Sequence, residues 1–492
     1  MMRSTITPRA MVVAMMGATL LSACAVGPDY KRPDLDVPNS IVTKSSHVDS
    51  SKSALDPAKN AATTKAEAVQ LLSWWKSFND PVLNQLLDEA LAKNQDLQIA
   101  IARIDDAKAT AGIALSNRFP SVDANLVATR SRTSENSGKL PAGAVPFAKD
   151  FQFGLSAAYE VDLFGKLSRA DEAARARLLS QEASRGVVQT SLIANVAQTY
   201  FSLRAFDAQL SLAEVSLKTR QENVRLQQKR YAAGSIGEAD LRLAEAELAA
   251  SEITVAQAKL GLSNVESSLA LLLGRSSKAI LKTDIARGAS IDALYQQVQM
   301  PSELPSDLLA RRPDLIAVEQ NLIAANADVG QAKSAYFPSL KLTTGLGRES
   351  RDLSDLFSPS SLLWNVGSSL VQPIFRAGAV GSLVEGAEAR KRIALGQYVQ
   401  SVQGAFKDVH DALATSETNQ EIEAASQRRV SALKDALRLA ELRYQNGYSS
   451  YLEVLNAQRD LMAAETAVID AKRAHLAAIV NVYKAVGGGW KM

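Results

Sequence analysis

The chain has 492 residues, 47% hydrophobic and 22% charged, which excludes both a disordered polymer and a bundle of membrane-spanning helices. Its 55 basic and 52 acidic residues nearly cancel to +3, so charge gives no case for a nucleic-acid partner. Aromatic residues are only 5%, and Ala, Leu, Gln, Glu and Arg recur instead, the composition of long helices.

The amino terminus reads as an address. Arg3 and Arg9 form a basic start before an apolar run, Ala10 to Leu21, which leads into Leu21-Ser22-Ala23-Cys24. Basic, apolar and small residues in that order define a secretory signal peptide over 1–23. The run is shorter than the roughly 20 residues that cross a bilayer. Cys24 is the one cysteine, so no intrachain disulfide exists. Leu-Ser-Ala-Cys resembles a bacterial lipoprotein box, which implies cleavage before Cys24 and acylation of its sulfur and new amine. A signal peptide with an incidental cysteine is the alternative. Residue 25 is Ala rather than Asp, which by the lipoprotein sorting pattern points to the outer membrane. Residues 24–70 hold Pro28, Pro33, Pro38 and Pro57 and then a Ser/Lys/Ala/Thr-rich stretch, expected to be an extended tether without a core.

The body is one unit written twice, 71–290 and 291–492. Arg230-Tyr231-Ala-Ala-Gly234 recurs as Arg443-Tyr444-Gln-Asn-Gly447, Asp96-Leu97 as Asp314-Leu315, and Phe119-Pro120 as Phe337-Pro338. The first copy carries about seven extra residues, placed in the Gly- and Pro-rich loop Ser137 to Lys149. Each half opens with a helix (80–117; 307–335) that stops at Phe-Pro. Two strand candidates follow: 121–131 and 151–163 in the first half, 339–349 and 362–372 in the second. A very long helix comes next (166–231; 378–445), then the Arg-Tyr-x-x-Gly turn and a return helix (237–273; 450–486). A helix of that length measures about 100 Å, which calls for coiled-coil packing.

The strands alternate with period two. Phe151, Phe153, Leu155, Ala157, Tyr159 and Val161 take the odd positions, against Gln152, Gly154, Ser156 and Glu160. Such a strand is long enough to cross a membrane at a tilt. A sheet covering a soluble core is the alternative, and it leaves the helices unexplained. Four strands cannot close a membrane barrel, for which about eight is the minimum, so if these strands cross the membrane, chains must share one. Alternation alone does not choose between two, three or four copies.

Several motifs then resemble one family. Cys24-Ala-Val-Gly-Pro-Asp-Tyr30-Lys-Arg-Pro33, Trp74-Trp75 with Phe78-Asn-Asp80-Pro81, Arg311-Arg312-Pro313-Asp314-Leu315, Ala335-Tyr-Phe337-Pro338 and the end Tyr483-Lys-Ala-Val-Gly-Gly-Gly-Trp490 are similar to the TolC-like outer-membrane factors, lipoprotein branch. The resemblance spans nearly the whole mature chain. It implies a mainly α fold with a transmembrane β portion: a homotrimer with a shared twelve-stranded β-barrel and a long periplasmic α-barrel. It implies contact with outer-membrane lipid, a periplasmic adaptor and an inner-membrane RND-type pump. The function implied is the gated exit channel of an efflux system for small molecules. No enzyme activity and no cofactor are expected: there is no phosphate loop, zinc spacing or nucleophile elbow, and His47, His410 and His475 share no ligand spacing.

The resemblance also implies site residues. The turns with Arg230, Tyr231, Gly234, Arg443 and Gly447 fall at the adaptor-contact tip; as plain structure they are helix caps. In the family's type member a latch tyrosine bonds an aspartate of the other repeat, and those positions are Tyr444 and Asp240 here. A second latch, arginine and threonine there, reads Ser449 and Ala239, so it is absent or replaced. A constriction made of two aspartates reads Glu453 and Asn456; in the lipoprotein branch the aspartate and arginine positions read Asn456 and Arg459. Acidic rings of this kind favour cations. A solvated helix face is the plain alternative for Glu453, Arg459 and Asp460. A protein-exporting type I duct and a pore-free periplasmic lipoprotein are the rival functions, and the substrate is not written in the sequence.

Overall fold

The computed structural model describes residues 26–36, 38, 40–42, 72–141, 143–282, 285–297, 303–305 and 311–490. Cys24, the signal peptide and most of the segment 24–70 lie outside the described residues. Helices dominate: α1 Pro81–Lys93, α2 Gln95–Ser116, α3 Lys166–Ala232, α4 Glu238–Leu272, α5 Pro313–Ser334, α6 Ala379–Gln445 and α7 Tyr451–Ala485. Four strands form one antiparallel sheet in chain order: β1 Ser121–Arg132, β2 Phe147–Val161, β3 Ser339–Ser350 and β4 Leu362–Val371. A short pair, Ser40–Val42 with Glu303–Pro305, stands apart. The duplication is exact in length where it matters: α3 and α6 have 67 residues each, α4 and α7 35 each. Among the described residues no helix is long and apolar enough to cross a membrane.

The chain divides into two compact units that cut across the repeats. One falls within Met1–Asp34, Arg103–Gln181 and Ala317–Val399, the other within Leu35–Ala102, Glu182–Ile316 and Gln400–Met492. The first holds the sheet. Its register sets Ala124, Leu155, Leu346 and Trp364 side by side, and the next row Asp123, Ser156, Gly345 and Asn365. Successive strand residues point to opposite faces, so one face is apolar and the other polar. The apolar face is bare: Leu155 is 52% exposed, Leu346 58% and Trp364 72%. β1 and β4 are the edges.

Two strand limits, both of β2, move by more than one residue from expectation. β2 starts at Phe147, inside the predicted loop, because Arg132 pairs with Phe147 and the guanidinium carbons of Arg130 and Arg132 lie 5.9 and 5.6 Å from its ring centre. Asp162 leaves the strand to cap α3, accepting from the amides of Leu167 at 3.0 Å and Ser168 at 2.7 Å. Phe337 of the second Phe-Pro stop stacks on Phe164, with centroids 4.7 Å apart. Helices approach closely through alanines 173, 176, 324 and 327, which is how so few aromatics suffice. The described start of the segment expected to be a tether is held down. The Pro28 carbonyl accepts from Asn326 at 2.7 Å, Asp29 meets Arg169 at 2.8 Å, and the Arg32 guanidinium and the Tyr30 hydroxyl both reach Glu319.

The second unit holds the main core. Trp74, Phe78, Leu83, Leu87, Ile193, Tyr200, Phe201, Leu269 and Leu273 are all essentially inaccessible. Each such apolar side chain contributes about 1.5–3 kcal/mol. Asp80, fully buried, caps α1 through the Val82 amide at 2.8 Å and accepts from the Tyr200 hydroxyl at 2.6 Å and the Ala289 amide at 3.0 Å. The expected helix 80–117 is two helices. Asn94 breaks it, because its side chain caps α2 at Asp96 and donates to the Leu272 carbonyl at 2.9 Å. Arg312 is the other buried anchor, donating to Asp314 and Asp408 and, at 2.8 Å, to the Ala485 carbonyl. Gly186 does not interrupt α3. A Cβ there would come within 2.5 Å of the Trp490 ring, so this glycine makes room for the carboxyl-terminal Trp.

Candidate gating site

The two Arg-Tyr-x-x-Gly turns lie in the second unit and have one backbone. The Ser235 amide donates to the Arg230 carbonyl at 2.9 Å, and the Tyr448 amide to the Arg443 carbonyl at 2.8 Å. Gly234 and Gly447 have φ of 68° and 78°. This is the Schellman end of a helix. A Cβ on either glycine would meet nothing within 4 Å, so the requirement is left-handed backbone and not space.

The side chains then cross between the repeats. Arg230 Nη1 donates to the Tyr444 hydroxyl at 3.1 Å, and its guanidinium carbon sits 5.7 Å from the centre of that ring. Tyr444 in turn packs on Tyr451, centroids 5.5 Å apart. The Tyr451 hydroxyl accepts from Asn223, and burial pushes its phenol up from the ordinary value. Val224, Ala244, Ala440, Val454 and Leu455 fill the space between.

One layer further along the helices a buried carboxylate sits between two cations. Glu247 accepts from Arg459 Nε at 2.8 Å and lies 3.9 Å from Arg220 Nη2. Side-chain exposure is 8% for Glu247 and 7% for Arg220 but 53% for Arg459. Arg220 also donates to Gln458. Hydrogen bonding to Glu247 raises the Arg459 guanidinium above its usual value.

The predicted residues are thus only partly brought together. Tyr444 does not bond Asp240: its hydroxyl is taken by Arg230, in the last turn of α3, whereas Asp240 lies in the first turn of α4. Glu453 pairs within its own repeat with Arg443 at 3.6 Å. Asn456 is exposed on α7 and forms no hydrogen bond or ion pair among the described residues, and Arg459 is committed to Glu247. Tyr231 is exposed, as is Ala239, and the Ser449 hydroxyl is buried without a partner. The sequence reading missed Arg220, Asn223, Glu247 and Tyr451. A signal existed: Glu247 continues the buried stripe Leu241, Ala244, where an unpaired acid is costly. Among the described residues no group of acids, His or Cys is arranged to hold a metal.

A duplicated helical chain with a small sheet, one bare apolar face and two open edges defines a channel subunit of the membrane. The chain belongs to the family described as "Outer membrane efflux protein", whose model matches residues 86–275 and 304–488. It is 33% identical over 472 residues to the cation efflux system protein CusC of Escherichia coli, covering 96% of this chain and 98% of that one. It is 34% identical to the probable efflux pump outer membrane protein TtgC of Pseudomonas putida, covering 96% and 94%. The crystal structure of the CmeC outer membrane channel of Campylobacter jejuni superposes with a TM-score of 0.84 at 27% identity, covering 95% and 96%. The chain is accordingly an outer-membrane efflux channel protein.

Proposed function

We propose that three copies of this chain share one twelve-stranded barrel and form the passive exit duct of a tripartite pump, anchored by lipid on Cys24. An inner-membrane RND-type pump and a periplasmic adaptor deliver small toxic molecules to it. The observation that carries this reading is the sheet, with apolar residues bare on one face and unpaired edges at β1 and β4. Open edges are not tolerated in hydrocarbon, a barrel needs about eight strands or more, and each chain supplies four. The similar proteins CusC and TtgC are named for a cation system and an efflux pump. Those different names fit a duct that passes what its pump supplies.

The turn region is the gate in this reading. Arg230 to Tyr444 and Arg459 to Glu247 tie the two repeats together in the closed state, and the turns offer Arg230, Tyr231 and Arg443 to the adaptor. The experiment is reconstitution of the purified protein in planar bilayers with native mass spectrometry. A trimeric mass and small unitary currents are expected. A monomer without current would falsify the duct.

A further inference from the structure

In the first unit a groove of about 290 Å³ runs between the amino-terminal segment, α5 and α6. Pro28, Val329 and Leu395 make it partly apolar, and Lys333, Lys391, Arg392 and Glu388 supply its charge. Glu388 is already neutralised by Lys333 at 3.0 Å. Lys391, half-buried, and Arg392, exposed, make no ion pair among the described residues. Two cations therefore face one groove without a counter-ion.

Its place in the chain says what supplies one. Lys333 is in the last turn of α5, which ends five residues before β3 begins, so the groove starts beside the sheet. Pro28 lines it only four residues after Cys24. The asparagine bond to the Pro28 carbonyl and the Asp29–Arg169 pair fix the segment there. Acyl chains on Cys24 draw this end of the chain to the bilayer surface, where lipid phosphates are the abundant anions.

We propose that this groove binds the phosphodiester headgroup of an anionic glycerophospholipid from the periplasmic leaflet, held by Lys391 and Arg392. A guanidinium matches phosphate oxygens through two parallel donors, and Lys391 adds a point charge. Pro28 and Leu395, both exposed, accommodate the glycerol and the first methylenes. The inference rests on the lipid-anchored reading of Cys24 given above. Each basic residue near an anionic lipid surface is worth roughly fivefold in binding, so the pair gives a selectivity of more than tenfold.

The test is native mass spectrometry of the full-length protein, delipidated in mild detergent and offered cardiolipin, phosphatidylglycerol or phosphatidylethanolamine. Retention of the two anionic lipids over phosphatidylethanolamine is expected, and a Cys24→Ala protein keeps it, since the site is distinct from the covalent anchor. Lys391→Glu with Arg392→Glu lowers retention at least tenfold, whereas the control pair Arg103→Glu with Lys108→Glu, exposed on α2 and outside the groove lining, leaves it unchanged. Equal retention by both double variants overturns the site. So does phosphatidylethanolamine bound as well as the anionic lipids, and so does displacement by millimolar inorganic phosphate, which marks a free-anion site. Lipid binding in detergent is read without any current, so failure of the duct reading leaves this result interpretable.

Discussion

The two turns carry the same five-residue pattern and the same backbone, yet their side chains live differently. In the first, Tyr231 is 43% exposed while Arg230 reaches across to the other repeat. In the second, Tyr444 is half-buried and receives that arginine, while Arg443 stays at home with Glu453. Duplication preserved what the backbone needs, a left-handed glycine after the helix, and released the side chains to become donor in one copy and acceptor in the other. A pair of formerly equivalent turns thereby becomes a tie between repeats.

The comparison breaks most sharply one layer in, at Glu247. Replacing it by Ala strips the buried Arg220 of its carboxylate, and losing one partner of a buried pair costs roughly 3 kcal/mol. Thermal unfolding followed by circular dichroism reads the loss, and larger bilayer currents are expected with it. Arg459→Ala removes the exposed arm of the same pair and costs less than about 1 kcal/mol. The glycines test the shared part. Gly234→Ala and Gly447→Ala each force a Cβ into left-handed backbone, for about 1–2 kcal/mol. With open space around both, the two costs should be equal within error. A difference above about 1 kcal/mol would mean the backbones are not equivalent.

What the sequence made legible was local or duplicated. Phe-Pro ends helices by covalent geometry, Gly234 and Gly447 end them by φ, and a repeat doubles the weight of each sign. What it hid depends on reach between distant residues. Asn94 breaks a helix whose own residues are good formers because Leu272 offers a carbonyl. Phe147 joins a strand because Arg130 and Arg132 cover its ring. Gly186 stands inside α3 because Trp490, far along the chain, packs against it. At the site, Arg230 and Asp240 both lie near the turn in sequence, and only packing chooses Arg230 as the partner of Tyr444.

The smaller effects sharpen that choice. Tyr444→Phe removes the acceptor of Arg230 in a half-buried setting and is expected to cost about 1 kcal/mol, with a measurable rise in current. Tyr231→Phe changes an exposed hydroxyl and stays within about 0.5 kcal/mol. Asp240→Ala gives a similarly small change. The carboxylate sits in the first turn of α4, where a negative charge favours the helix by about 0.3–1 kcal/mol, and it makes no bond to Tyr444. Stability should therefore fall by about 0.5 kcal/mol and the current should not move. Combined with Tyr444→Phe, the two costs should add, as they do for residues that share no contact. If Asp240→Ala alone raised the current as much as Tyr444→Phe, and the double variant added nothing further, the latch in the assembled protein would run through the aspartate after all, and Arg230 would be only its neighbour.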